Sequence, residues 1–283
     1  MKKIRLIIVL LILCNTNIFS QEYNKLVEKS FECIENEDWP CAEEYIIKAL
    51  KTEPGNVQNS LLLSNLGTIQ RYMGMCENAI KSYTNALMIT PRSVTILKNR
   101  ASLYASIDSL DKAISDYSQV VALDSKEQEA VYRRGLLYLQ KQDTLSARYD
   151  FENLLKINPE SRNAYIGFAA LMKYRNYYDE AVNIYSKVLK LNERDYDACF
   201  GRAEAYFYLG KMAKAREDIK KAIEIDSEDP LVYVLRAKIG WSQFEKDSAI
   251  RDFEKAVELG FPKEEAEKIL SDLQSESKKK RLK

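Results

Sequence analysis

Histidine is absent from this 283-residue chain. That removes the side chain whose protonation changes nearest neutral pH and the commonest nitrogen ligand of metal ions. Glycine (9) and proline (6) are scarce, so tight turns and hairpins have few carriers. Apolar residues instead return every three or four positions through most of the chain, which predicts an all-α protein. An excess of charge of one sign is also missing, with 43 Lys and Arg against 42 Asp and Glu, so nothing favours a nucleic-acid partner. Phosphate-cradling glycine loops, Cys-x-x-Cys pairs and nucleophile elbows are not found. The carboxylates of DYDACF and IDSEDP fall in turns and helix starts, where solvation and capping account for them. The expectation is a protein without catalytic residues, metal ligands, cofactor or small-molecule substrate.

Only one long apolar run exists, IIVLLIL at 7 to 13, preceded by Lys2, Lys3 and Arg5 and followed by a polar stretch ending in Ser20. It is shorter than the roughly 20 residues that span a membrane and reads as a secretory signal over residues 1–20, cleaved before Gln21. An uncleaved anchor and lipid attachment at Cys14 are the alternatives, although Leu13 stands where a lipid-attachment signal carries a small residue. The expected location is exported, periplasmic or secreted, in a bacterial envelope. Removal of the signal leaves Cys33, Cys41, Cys76 and Cys199, either as buried small hydrophobes or with Cys33 paired to Cys41 across a short turn.

What the chain has in abundance is repetition. ENAIKSYTNALMITP, DKAISDYSQVVALDS and DEAVNIYSKVLKLNE share one frame, anchored on Ala42, Ala79, Ala113, Ala147, Ala181, Ala215 and Ala249. The spacing is 37 residues once and 34 five times. Four residues after each alanine stands a bulky side chain, and three further on a smaller apolar one, so one helical face alternates small and large. Twelve residues before each alanine sits another small residue, from Ser30 and Gly67 to Ala237. Each unit is therefore a pair of helices in close contact, and such pairs stack because one alone cannot bury its apolar face. The surplus in the 37-residue spacing falls at GNVQNS, as a longer loop or a change of stacking angle.

Small residues at positions 8, 20 and 27, an aromatic near 24 and proline near 32 of a 34-residue unit resemble the tetratricopeptide repeat family. Position 4 carries no tryptophan, and position 32 is often not proline. The resemblance implies a right-handed superhelical solenoid of about seven helix-turn-helix repeats, at 23–56, 60–93, 94–127, 128–161, 162–195, 196–229 and 230–262. A capping helix at 263–275 and a basic tail at 276–283 follow. It also implies a non-catalytic scaffold that binds a protein or peptide segment on a concave wall built by the first helix of each repeat. An envelope machine for outer-membrane assembly, secretion or motility, with peripheral association to its complex, is the second reading.

On that wall the family's carboxylate-clamp residues are mostly missing. Val27 and Phe31 occupy the first Lys and Asn positions, Asn65 matches, and Thr95 and Asn99 replace Lys and Arg. The expected partner-binding surface instead combines Lys98 with Tyr132, Leu136, Leu139, Ile166, Tyr174, Phe200, Phe207, Tyr208 and Trp241. Burial of this stripe between successive first helices is the alternative to an open groove.

Overall fold

The computed structural model describes residues 21–281, so the expected signal segment and Cys14 lie outside the described residues. The fold is all-α. The helices are α1 (Gln21–Glu35), α2 (Trp39–Thr52), α3 (Asn59–Tyr72), α4 (Cys76–Ile89), α5 (Val94–Ser106), α6 (Leu110–Leu123), α7 (Gln128–Gln140) and α8 (Thr144–Ile157). They continue as α9 (Arg162–Tyr174), α10 (Tyr178–Leu191), α11 (Tyr196–Tyr208), α12 (Met212–Ile225), α13 (Pro230–Ser242), α14 (Lys246–Glu258) and α15 (Lys263–Arg281). No described helix is long and apolar enough to cross a membrane. The described residues form two compact units, the first ending at Lys112 and the second beginning at Ala113.

One local device is written seven times. Position 15 of every repeat has positive φ, at Glu37, Gly74, Asp108, Gln142, Asn176, Gly210 and Phe244. The next residue then donates its N–H to the carbonyl five residues back, at 2.8–3.0 Å, from Asp38 to Cys33 through Glu245 to Gly240. This left-handed closure satisfies the last carbonyls of the first helix and turns the chain into the second. Position 34 performs the opposite task. Ser93, Glu127, Ser161, Asp195 and Asp229 accept from backbone N–H groups at the starts of α5, α7, α9, α11 and α13. Asp195 of DYDACF and Asp229 of IDSEDP are thus caps. The three surplus residues of the 37-residue spacing lie at the loop 53–58 and the early start of α3.

Within the first unit α1 packs on α2, α3 on α4, and α3 also on α2. Within the second unit the pairs are α7 with α8, α9 with α10, α11 with α12 and α13 with α14. Each new first helix packs back on the preceding pair: α9 on α7 and α8, α11 on α9 and α10, α13 on α11 and α12. The final α15 packs on α13 and α14, the place an eighth first helix would take. It caps the stack as expected, but it runs on to Arg281 instead of stopping at 275.

The core follows the repeat frame. All seven anchor alanines are fully buried, and the large residues at position 24 are buried with them, among them Tyr83, Phe151, Tyr185 and Phe253. Close approach explains the glycines. A Cβ added to Gly135 or Gly167 would stand 2.6 or 2.4 Å from Cε1 of Phe151, so this ring is held between two repeats. Gly201 stands to Tyr185 as Gly167 does to Phe151, with 2.4 Å to Cζ.

Candidate functional site

Two sets of polar contacts tie the helices of the second unit together. The first is an arginine at position 7 that forks onto an aspartate at position 23 of the same repeat. Arg202 donates from Nε and Nη2 to the two carboxylate oxygens of Asp218, both at 2.7 Å, and from Nη1 to Ser186 Oγ of the preceding repeat at 3.0 Å. Arg134 grips Asp150 at 2.9 and 2.7 Å and reaches Ser118 at 3.1 Å. Arg236 grips Asp252 at 2.9 and 2.5 Å. Hydrogen bonding to these carboxylates holds all three guanidinium groups above their ordinary range, while burial pushes the Asp150 carboxyl up against the pull of Arg134. In the fifth repeat Phe168 and Ile184 take the two positions together. The spacing of 16 residues between Arg and Asp is present in the sequence, but among so many helical charges nothing marks it as a pair.

The second set joins position 1 of a repeat to the cap that opens the next. Arg162 donates to Asp195 at 2.6 and 2.7 Å and to Asp197 at 2.5 Å, and the Tyr196 hydroxyl donates to Asp229 at 2.5 Å. In the first unit the Tyr23 hydroxyl reaches Asn59 at 3.0 Å by the same logic.

Successive first helices of the second unit, α7, α9, α11 and α13, touch one another and form its inner row. The structure divides the expected partner-binding residues of this row into two groups. Leu139, Ile166 and Trp241 are buried and do not face an open groove. Their burial has an evident cause: the side of a first helix that packs on its neighbour overlaps the stripe expected to face a ligand. Trp241 Nε1 donates to the carbonyl of Leu273 at 3.2 Å, so α15 covers that ring. Tyr132, Leu136, Phe200 and Phe207 are half-buried, while Tyr174 and Tyr208 are 45% and 55% exposed. Tyr178, from the start of α10, stacks on Tyr208 with ring centroids 4.9 Å apart, and Phe207 meets Tyr208 edge-on at 5.4 Å. Tyr178 lies outside the expected set because it belongs to a second helix. Lys98, half-buried, belongs to the first unit and not to this row.

Burial pushes the Tyr132 hydroxyl up to about 12, with Asp197 adding to the effect, and burial followed by Glu204 pushes Tyr208 up as well. Both rings are uncharged hydrogen-bonding groups at neutral pH. Lys173 pairs with Glu204 across α9 and α11. Among the described residues no group of three or more Cys, Asp and Glu side chains is placed to hold a metal ion.

In the first unit Cys33 and Cys41 form a disulfide with Cα atoms 5.7 Å apart, joining the end of α1 to the start of α2. Cys199 is fully buried, and burial raises its thiol from an ordinary 9.0 to about 11. Its folded value exceeds its unfolded one, so the stability linked to this thiol is complete below about pH 9 and is lost as pH rises toward 11. At pH 8, alkylation followed by peptide mass spectrometry is expected to label partly exposed Cys76 and to spare Cys199 until urea unfolds the chain.

Residues 98–162 and 175–239 each match models of the tetratricopeptide repeat. The crystal structure of a tetratricopeptide repeat protein from Parabacteroides merdae is 40% identical, covers 90% of this chain and 100% of that one, and superposes with a TM-score of 0.84. Yeast Tom70 is 16% identical over 95% of this chain and 67% of its own, with a TM-score of 0.59. Pseudomonas aeruginosa PilF is 16% identical over 76% of this chain and 98% of its own, with a TM-score of 0.55. These last two likenesses concern the fold alone. No curated protein sequence matches.

Proposed function

Because this chain belongs to the tetratricopeptide repeat family, whose fold is a protein–protein interaction scaffold, we propose that it is a non-catalytic adaptor whose second unit holds a segment of a partner protein on its inner row. The observation that carries this reading is the aromatic group of exposed Tyr174 and Tyr208 with half-buried Phe207, supported from one side by Tyr178. Large, rigid rings with a polar edge are favoured anchors at protein interfaces. Affinity capture with residues 21–283 beside the variant Tyr174→Ala, Phe207→Ala and Tyr208→Ala tests it. The variant, with its helicity checked by circular dichroism, is expected to lose at least one partner about tenfold or more, as removal of an interface anchor does. Equal recovery by both forms would reject the inner row.

A second reading, a fixed component of an envelope machine, draws on apolar side chains left in solvent on α8, where Leu145 is 80% and Tyr149 63% exposed. It requires stable co-purification with membrane proteins that survives the same variant. For location we infer export to the periplasm or beyond, from Lys2, Lys3, Arg5 and the apolar run that follows. Export would place the Cys33–Cys41 pair where disulfides persist. Intact-mass measurement of the natively produced protein is expected to give a chain beginning at Gln21 with that pair oxidised. A reduced pair on a chain that retains Met1 would count against export.

A further inference from the structure

Most charges on the inner row of the second unit are paired with one another. Lys173 and Glu204 face each other between neighbouring first helices, with side chains only 21% and 31% exposed. At the start of the row Arg162 is held by Asp195 and Asp197, and Arg133 lies 3.8 Å from Glu129 on its own helix. A carboxylate arriving at Lys173 would have to displace Glu204 or lie beside it, and an arriving cation would meet Lys173 in the same way. Separating a partly desolvated pair leaves one member uncompensated, which cancels much of what a new ion pair offers. Lys238, on α13, is a cation of the row without a carboxylate partner among the described residues. One lysine supplies neither the number nor the fork geometry with which acidic tails are gripped.

Between these closed pairs the row offers apolar and aromatic surface. Leu136 and Phe200 are half-buried, Phe207 leans on Tyr208, and Tyr174 is open to solvent. Tyr132 adds a protonated hydroxyl without a hydrogen-bond partner among the described residues. From this arrangement we propose that the occupant of the inner row is an uncharged protein segment bearing several aromatic or aliphatic side chains, with a main-chain carbonyl taken by the Tyr132 hydroxyl. The proposal rests on the scaffold reading of the same row and narrows it from any peptide to one class.

The consequence is an affinity carried by apolar contact and nearly independent of salt, because surface ion pairing is the term that salt screens. Random twelve-residue peptides displayed on phage, selected on the chain from residue 21 onward, test this. Counter-selection uses the double variant Tyr174→Ser, Tyr208→Ser, whose side chains are exposed enough to change without disturbing the core. The expected result is peptides rich in aromatic and aliphatic residues, without net negative charge, that fail to bind the double variant. Their Kd is expected to change less than about threefold between roughly 50 and 500 mM NaCl. The pair-neutralising variant Lys173→Gln, Glu204→Gln is expected to leave binding within about twofold, and Tyr132→Phe to weaken it several-fold, as loss of one hydrogen bond does. Peptides that depend on the row but are acidic, and that lose affinity tenfold or more over that salt range, would overturn this inference and leave the scaffold reading standing. If no peptide depends on Tyr174 and Tyr208, both fall.

Discussion

Replacing Phe151 by alanine is expected to lower stability by about 3–5 kcal/mol, read from urea denaturation followed by far-ultraviolet circular dichroism. The ring is fully buried and is enclosed by Gly135 of its own repeat and Gly167 of the next. Phe168 meets it edge-on at 5.8 Å, and Tyr132 is tilted toward it at 6.5 Å. Its loss therefore weakens both the fold of one repeat and the contact with its neighbour, the two terms whose sum stabilises a repeat array. The glycines that admit the ring cannot refill the space. In the second repeat the equivalent Tyr83 places its hydroxyl 3.0 Å from Thr68 Oγ1, whereas the position matching Thr68 holds Leu136 in the fourth. A loss below about 1 kcal/mol would show that the site collapses freely and that the two repeats are not locked through this ring.

Arg202→Ala is expected to cost about 3–5 kcal/mol, because it leaves Asp218 buried and unpaired. The Asp218 side chain is only 4% exposed and that of Arg202 18%, so water cannot readily take the arginine's place. The chain itself suggests the rescue. Its fifth repeat has Phe168 and Ile184 where the fourth, sixth and seventh have arginine and aspartate. The double variant Arg202→Phe, Asp218→Ile is expected to recover most of the loss, since apolar residues of similar volume often replace a buried ion pair without penalty. It forgoes the hydrogen bond to Ser186 in the preceding repeat and the placement of the guanidinium over the Tyr206 ring, 5.8 Å from its centroid. Denaturation of the single and double variants in parallel checks this. A double variant no more stable than the single would mean that the contacts with Ser186 and Tyr206, and not the neutralisation of Asp218, are what the arginine supplies.

Much of this architecture is legible in the residues alone, because an alanine returning every 34 positions fits little besides a stack of like helix pairs. The turn between paired helices is not. Its left-handed position holds Glu37, Asp108, Gln142, Asn176 and Phe244 as well as two glycines, so composition hides a constraint that lies in backbone hydrogen bonds. The arginine–aspartate forks have a regular spacing, yet charges on helices ordinarily point to water and give no reason to be paired across 16 residues. The inner row shows a different limit. A stripe of apolar positions on a first helix serves both the ligand side and the neighbouring first helix, and helical periodicity does not divide them. Ile166 and Leu139 went to the neighbours, Trp241 went under α15, and Tyr174 and Tyr208 stayed in solvent.

The most direct test of the account is a photo-crosslinking residue placed in vivo at Tyr208, beside a second protein carrying it at Leu145. Both positions are open to solvent, the first on the inner row and the second at the start of a second helix. A discrete adduct from Tyr208 that is missing from Leu145 is the expected result. An adduct from Leu145 with none from Tyr208 would contradict the inner-row account and transfer binding to the second helices.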